Sequence, residues 1–427
     1  MDFPAALLPL FKIAAVFATM LGGIRLKIGL GLSILCGGLL TGALFGLPVA
    51  MWPQTALSGV LNDKTIFLVA IVALIMILSN LLEKTGQSAR LMDALSAYLR
   101  EPKLRLLFFP ALIGLLPMPG GAVFSAPMVD SVSRGMGLSR EDKVLVNYWF
   151  RHIWEIAWPL YPGIILASSL SGVPITRLVL HTCPGIFLCL FLGWRFVLAP
   201  VMRRLPSRTA EATDTPRNPM RALREGLPLV IAIAGAIGME AVLSAFAPDV
   251  HFEIGIIIAL AASILCAVIQ NGLPIAPIRS TLTGRYLWSM LWVVASIFIF
   301  KQFMEDSGVV TELSQLAGGT AALIVATVCL PLLVGIISGI TMAYVGSTFP
   351  LMLGMLAQLG MEGQTLQYTV LALFSGFTGI MVSPLHICFL LTCRYFEADM
   401  ARAWRGLLAP CSLVMLFGWV WFAFLRA

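Results

Sequence analysis

The chain has 427 residues, 59% hydrophobic and only 11% charged, with a mean hydropathy of +0.94. A water-soluble domain carries roughly twice that share of charge, so soluble folds are excluded and a multi-pass membrane protein is expected. The net charge of +7 fits topogenic Lys and Arg in inner loops better than a nucleic-acid footprint, and no nucleic-acid partner is expected.

A helix of about 20 apolar residues crosses a bilayer. In chain order, crossings are expected near 4–22, 28–50, 65–83, 144–170 and 176–200. A second set follows near 226–246, 252–271, 287–304, 366–391 and 403–424. The N-terminal segment lacks the basic start of a signal peptide and reads as the first helix. Two further apolar stretches, 104–133 and 319–358, are broken by Pro and Gly and read as re-entrant hairpins. A pair of full spans is the competing reading; broken backbone at membrane depth must line a cavity or lie within protein. An external N-terminus places most of the 28 Lys and Arg inside, leaving Lys64, Arg177 and Arg426 outside. Both termini are then external, and the basic linker 201–225 is a cytoplasmic loop.

The two halves resemble each other. NLLEKTG at 80–86 matches QFMEDSG at 302–308, PALIGLL at 110–116 matches PLLVGII at 331–337, and WPLYPGIIL at 158–166 matches SPLHICFLL at 383–391. The offsets are 222, 221 and 225. The expected fold is therefore all-α and membrane-integral, with two repeats, 1–200 and 226–427. Each has five crossings and one hairpin. An odd number of crossings inverts the second repeat, a feature of secondary transporters that bind substrate near the midplane.

In the first hairpin, Pro117, Pro119, Gly120 and Gly121 form the tip, and a helix is expected to start near Gly121–Ala122. Its open N–H groups suit an anion, and Ser125 adds a hydroxyl. In the second hairpin, Ser338-Gly339 and Gly346-Ser347-Thr348 are expected to interrupt the helix. Ser338, Thr341, Ser347 and Thr348 then offer substrate donors or oxygen ligands for Na⁺. Ser125 aligns with Ser347 by the 222 offset. The competing reading is ordinary close packing of small residues.

The segment 147–166 carries Arg151, His152 and Glu155 before the breaks at Trp158-Pro159 and Pro162-Gly163. Arg151 and Glu155 are expected to share a helix face and pair. The matching break, 376–386, carries Ser383 and His386, and by the 225 offset has no counterpart of the charged cluster. Charges inside a membrane are costly and usually functional. Arg151 can neutralise an anion and Glu155 or His152 can carry a proton, against the alternative of a structural Arg–Glu pair. The candidate substrate residues are thus Pro119, Gly120, Gly121, Ser125, Arg151, Ser338, Thr341, Ser347, Thr348, Ser383 and His386. The candidate coupling-ion residues are Ser125, Ser347, Thr348, His152 and Glu155. The eight cysteines have no Cys-x-x-Cys spacing and read as small core residues, not a metal site. No cofactor is expected beyond Na⁺ or H⁺ as coupling ion, and no soluble-enzyme motif is present.

With LLPMPGGAVFSAPMV at 115–129 and GFTGIMVSPLHICFLL at 376–391, the chain resembles the ion transporter superfamily of gluconate permeases, citrate carriers and divalent-anion:sodium symporters. The nearest likeness is to a gluconate-permease-related family of integral membrane proteins. The resemblance implies a homodimer, with a scaffold and a transport domain that slides as an elevator. In place of the Ser-Asn-Thr of sodium-coupled relatives stand Ser125-Ala126-Pro127 and Ser347-Thr348-Phe349, which leaves H⁺ open. The expected function is secondary transport of a small organic anion, a carboxylate or sugar acid, across a plasma (bacterial inner) membrane. The alternatives are a membrane-embedded enzyme acting on lipid or peptide, and an ion channel.

Overall fold

The computed structural model describes residues 3–99, 101–115, 121–134, 136–204, 217–247, 250–272, 275–316 and 320–427. Among them the secondary structure is helical, with no strand. The first half runs α1 (Phe3–Arg25), α2 (Leu30–Leu44), α3 (Trp52–Val60), α4 (Asp63–Lys84), α5 (Gln87–Ser96), α6 (Pro102–Gly114), α7 (Ala122–Ser133), α8 (Arg140–His152), α9 (Pro162–Ser171), α10 (Ile175–Thr182), α11 (Pro184–Leu192) and α12 (Ala199–Arg204). The second runs α13 (Pro219–Phe246), α14 (Phe252–Gln270), α15 (Ile275–Leu282), α16 (Arg285–Asp306), α17 (Val309–Leu316), α18 (Thr320–Ser338), α19 (Thr341–Gln358), α20 (Thr365–Met381), α21 (Ile387–Phe396) and α22 (Met400–Arg426).

Seven helical runs among the described residues are long and apolar enough to cross a membrane, from Leu8–Arg25 to Met400–Arg426. The chain is thus a multi-pass membrane protein. Side chains such as Phe11 on α1, Ile258, Leu265 and Ile269 on α14, and Leu416 and Phe424 on α22 are exposed, as on helices that meet lipid. Three expected crossings are not single helices. The stretch 28–50 is α2 followed by a 3-10 turn, Val49–Met51, that leads into α3. The stretches 144–170 and 366–391 are each two helices with open backbone between them.

The order of elements repeats, α1–α9 against α13–α21, with α22 where α10–α12 stand. Helices α4 and α16 are both 22 residues long. Each gives way to a left-handed glycine, Gly86 (φ 71°) or Gly308 (φ 67°), and then to a short helix. The packing is reciprocal as well. Helix α2 lies on α16 and α14 on α4; α7 lies on α21 and α19 on α9. Within each half α6 lies on α8, and α18 on α20. At the first of these crossings a Cβ on Gly114 would collide with the Arg151 carbonyl; at the second, a Cβ on Gly335 would stand 2.7 Å from the Gly376 carbonyl. The glycines allow the same close backbone approach in both halves, at the offsets read from the sequence anchors. The largest buried side chains, including Tyr148, Trp149, Tyr344, Phe374 and Phe377, cluster on α8, α19 and α20. The broken segments therefore sit inside protein, where backbone leaving a helix can find partners.

Candidate functional site

Helix α8 starts at a capping box: Ser139 Oγ accepts from Asp142 N at 3.0 Å, and Asp142 Oδ2 accepts from Ser139 N at 3.2 Å. It ends at His152, more than a turn before Pro159. The backbone then winds through turns to Pro162, in the first turn of α9, where its fixed φ and missing N–H fit. Partners from other elements hold the unwound stretch. Trp154 Nε1 donates to the Ala111 carbonyl at 2.7 Å, and Tyr161 Oη donates to the Gly114 carbonyl at 2.6 Å. In the second half α20 continues to Met381 and the break is shorter, from Val382 to His386. Trp404 Nε1 donates to the Val382 carbonyl at 2.7 Å. Tyr161 and His386, aligned by the 225 offset, are the caps of α9 and α21.

The early end of α8 overturns the expected geometry of Arg151 and Glu155. Glu155 lies beyond the helix, so the i,i+4 register that would pair them does not exist. Glu155 Oε1 instead lies 3.9 Å from His152 Nε2, and Oε2 accepts from Thr341 Oγ1 at 3.5 Å. The Arg151 guanidinium is buried and lies against Gly121, where a Cβ would collide with it. Its Nη1 is 3.4 Å from both His152 Nε2 and Cys388 Sγ. The guanidinium therefore stands at the N-terminus of α7, which begins at Ala122 as expected.

The second hairpin breaks once. Helix α18 ends at Ser338, Gly339 turns with φ 62°, and α19 begins at Thr341. A Cβ at Gly339 would stand 2.8 Å from His386 Cα, so the left-handed turn and the close approach both favour glycine. The expected interruption at Gly346-Ser347-Thr348 is absent. Helix α19 runs through it, and Ser347 and Thr348 donate to the Ala343 and Tyr344 carbonyls, each at 2.7 Å. No carbonyls are freed there, because a hydroxyl four residues along a helix can back-bond without breaking it. The register also differs: α7 and α19 start 219 residues apart, so Ser125 stands level with Tyr344, and Ser347 lies about one turn further along.

Of the expected residues, Gly121, Arg151, His152, Glu155, Thr341 and His386 converge. Ring centroids of His152 and His386 are 4.7 Å apart, and Thr341 abuts Gly163 at the start of α9. Ser125 is buried, with its hydroxyl 3.4 Å from the Gly121 and Ala122 carbonyls. Ser338 and Ser383 tie down backbone: Ser338 Oγ accepts from Ile340 N at 3.2 Å, and Ser383 Oγ donates to the Ile336 carbonyl at 2.6 Å. Pro119 and Gly120 lie outside the described residues. The sequence reading missed Cys388. Its thiol meets Arg151 and joins His152 and His386 in a buried group, so it is not an inert core residue. The signal available was His386-x-Cys388 at a proline break.

Beside this cluster lies a cavity of about 230 Å³. Phe124 and Pro162, from the first turns of α7 and α9, line one side. Ser79, Asn80, Glu83, Thr281 and Tyr286, from α4, α15 and α16, line the other.

Residues 4–425 match the family described as "Protein of unknown function (DUF401)". Among solved structures the chain is similar to the YdaH transporter of Alcanivorax borkumensis, whose crystal structure is described as having an unusual topology. That similarity has a TM-score of 0.62 at 18% identity, covering 89% of this chain and 90% of that one. At that identity it is a likeness of fold. No curated protein sequence matches the chain.

Proposed function

We propose that this chain, which belongs to the DUF401 family, is a secondary active transporter that carries a small organic anion of carboxylate or sugar-acid type. The observation that carries the reading is the placement of Arg151. A buried cation touches the N-terminus of α7 and the first turn of α21, beside a cavity. A guanidinium and open helix N–H groups bind carboxylate well, and a fixed charge within a membrane protein is expensive unless it serves a function. The reciprocal packing of α7 on α21 and α19 on α9 supports two repeats, 1–200 and 226–427, inverted across the membrane and joined by the linker 201–225. The fold shared with a transporter points the same way.

In this reading α7, α9, α19 and α21 belong to a body that slides as an elevator against α4 and α16, in a homodimer of the ion-transporter-superfamily kind, in a bacterial inner membrane. Glu155, held between His152 and Thr341, carries a coupling proton. H⁺ is favoured over Na⁺ because Ser347 and Thr348 lie within an unbroken helix. Both termini face outward.

The test is a thermal-shift screen of purified protein against carboxylates, sulfonates and sugar acids, with and without Na⁺ at two pH values. A ligand at 100 times its Kd stabilises by about 2.7 kcal/mol. The expected result is an anion that raises the melting temperature of the wild type and not of Arg151→Gln. An Arg151→Gln variant that responds like the wild type overturns the assignment. Currents far above carrier flux in planar bilayers would favour the channel reading instead.

A further inference from the structure

Transport of an anion does not require what surrounds Arg151 on its other side. His152, His386 and Cys388 are all buried, and the ligand atoms they offer lie within 4.8 Å of one another. Two helix ends fix them: His152 is the last residue of α8, His386 caps α21, and Cys388 lies in the first turn of α21.

The hydrogen bonds orient the first of these groups. His152 Nδ1 lies 2.5 Å from the Tyr148 carbonyl. A carbonyl only accepts, so Nδ1 carries the proton and Nε2 presents its lone pair to the cluster. Metal-binding histidines are commonly held this way, by a carbonyl on the other ring nitrogen. His386 Nδ1 is buried with no hydrogen-bond partner, which leaves an imidazole nitrogen unsatisfied. Glu155 Oε1, 3.9 Å from His152 Nε2, is a carboxylate within reach of the same point.

We propose that His152 Nε2, His386 and Cys388 Sγ bind a zinc-class divalent ion, with Glu155 as the fourth ligand. Two imidazoles and a thiolate suit zinc or cobalt and not the hard ions Na⁺ or Mg²⁺. Atoms that share a tetrahedral zinc at about 2.0–2.3 Å stand roughly 3.3–3.8 Å apart, so the cluster closes by about 1 Å on loading. Binding releases the thiol proton to solvent. The ion's two charges are then balanced by the thiolate and the Glu155 carboxylate, and the positive charge of Arg151 remains. Arg151 Nη1, now 3.4 Å from both Nε2 and Sγ, turns away from both. The bound ion ties the break after α8 to the break before α21. This site goes beyond the transport reading and stands whether or not that reading holds.

The test uses the full-length protein in detergent, stripped with a chelator and titrated with Co²⁺. The expected result is one cobalt per chain, with a thiolate-to-cobalt charge-transfer band in the near ultraviolet. Cys388→Ser, nearly isosteric, loses that band, Cys393→Ser keeps it, and His386→Ala weakens binding at least about 10-fold. Zn²⁺ bleaches the wild-type spectrum by displacement and raises the melting temperature of wild type but not of Cys388→Ser. Wild-type protein that elutes as a single species yet shows no charge-transfer band overturns the proposal. So does a band that survives in Cys388→Ser.

Discussion

A single atom separates glycine from alanine, and at Gly114 that atom has nowhere to go, because a Cβ there would collide with the Arg151 carbonyl. Gly114→Ala must push α6 away from the end of α8. The expected cost is about 1–3 kcal/mol, the range for overpacking a filled site, read as a lower melting temperature in detergent. Gly238→Ala, which meets nothing within 4 Å, should leave stability unchanged or raise it slightly, since alanine favours helix. At the same scale Arg151→Lys keeps the charge but loses the planar fork that meets a carboxylate with two hydrogen bonds. It should bind the anion at least about 10-fold more weakly, measured by ligand-induced thermal shift. Arg151, His152 and Glu155 were legible as candidates because charge in an apolar run stands out. Ser347 and Thr348 were misread because a Gly-Ser-Thr run looks the same in sequence whether it ends a helix or lines a tight crossing. Cys388 was missed because one thiol carries no pattern until the fold brings histidines to it.

The prolines at 159 and 162 correctly marked a broken helix after α8, but not where the unwinding begins. Trp154 and Tyr161 bond to carbonyls of α6, and these contacts between elements hold open a stretch that proline alone does not reach. In α20 no such anchors intervene, and the helix runs to Met381, close to Pro384. The start of α8 depends on local chemistry. Ser139→Ala removes the capping hydroxyl and should cost about 1 kcal/mol, seen as faster amide exchange in the first turn of α8. Next to it, Glu141 Oε1 accepts from Asp399 N, the cap of α22, at 3.1 Å. Backbone N–H groups, its own and that of Asp399, hold this carboxyl below its ordinary range, and Arg402 adds to the effect. A depressed carboxyl contributes stability above its unfolded pKa and loses it as pH falls through the folded one. Glu141→Gln should therefore be less stable than wild type at neutral pH, by less than about 1 kcal/mol for so exposed a group. The two melting curves should converge in acid.

Across the whole molecule, the anchors 80–86/302–308, 110–116/331–337 and 158–166/383–391 revealed which elements correspond. They could not reveal the reciprocal packing, because contacts such as Thr55 Oγ1 to Asp306 Oδ2 at 2.6 Å join residues far apart in sequence. The proposed topology makes a sidedness prediction. In a cysteine-free background, Arg177→Cys should react with an impermeant maleimide added to intact cells, and Arg279→Cys only after the membrane is opened. Both side chains are exposed, so failure to react reports sidedness and not burial. Labelling of both from outside would sink the orientation.

The gap beside Phe124 and Pro162 bears on how such a protein yields to force. Close-packed interiors transmit strain, since displacing one side chain means vacating a fitted hole. Along this seam there is no fitted hole to vacate: the polar groups of Ser79, Asn80 and Thr281 face room for several waters. A fluid layer shears where a packed one would jam, so α7 and α9 can shift against α4 and α16 on that side while few dispersion contacts are lost.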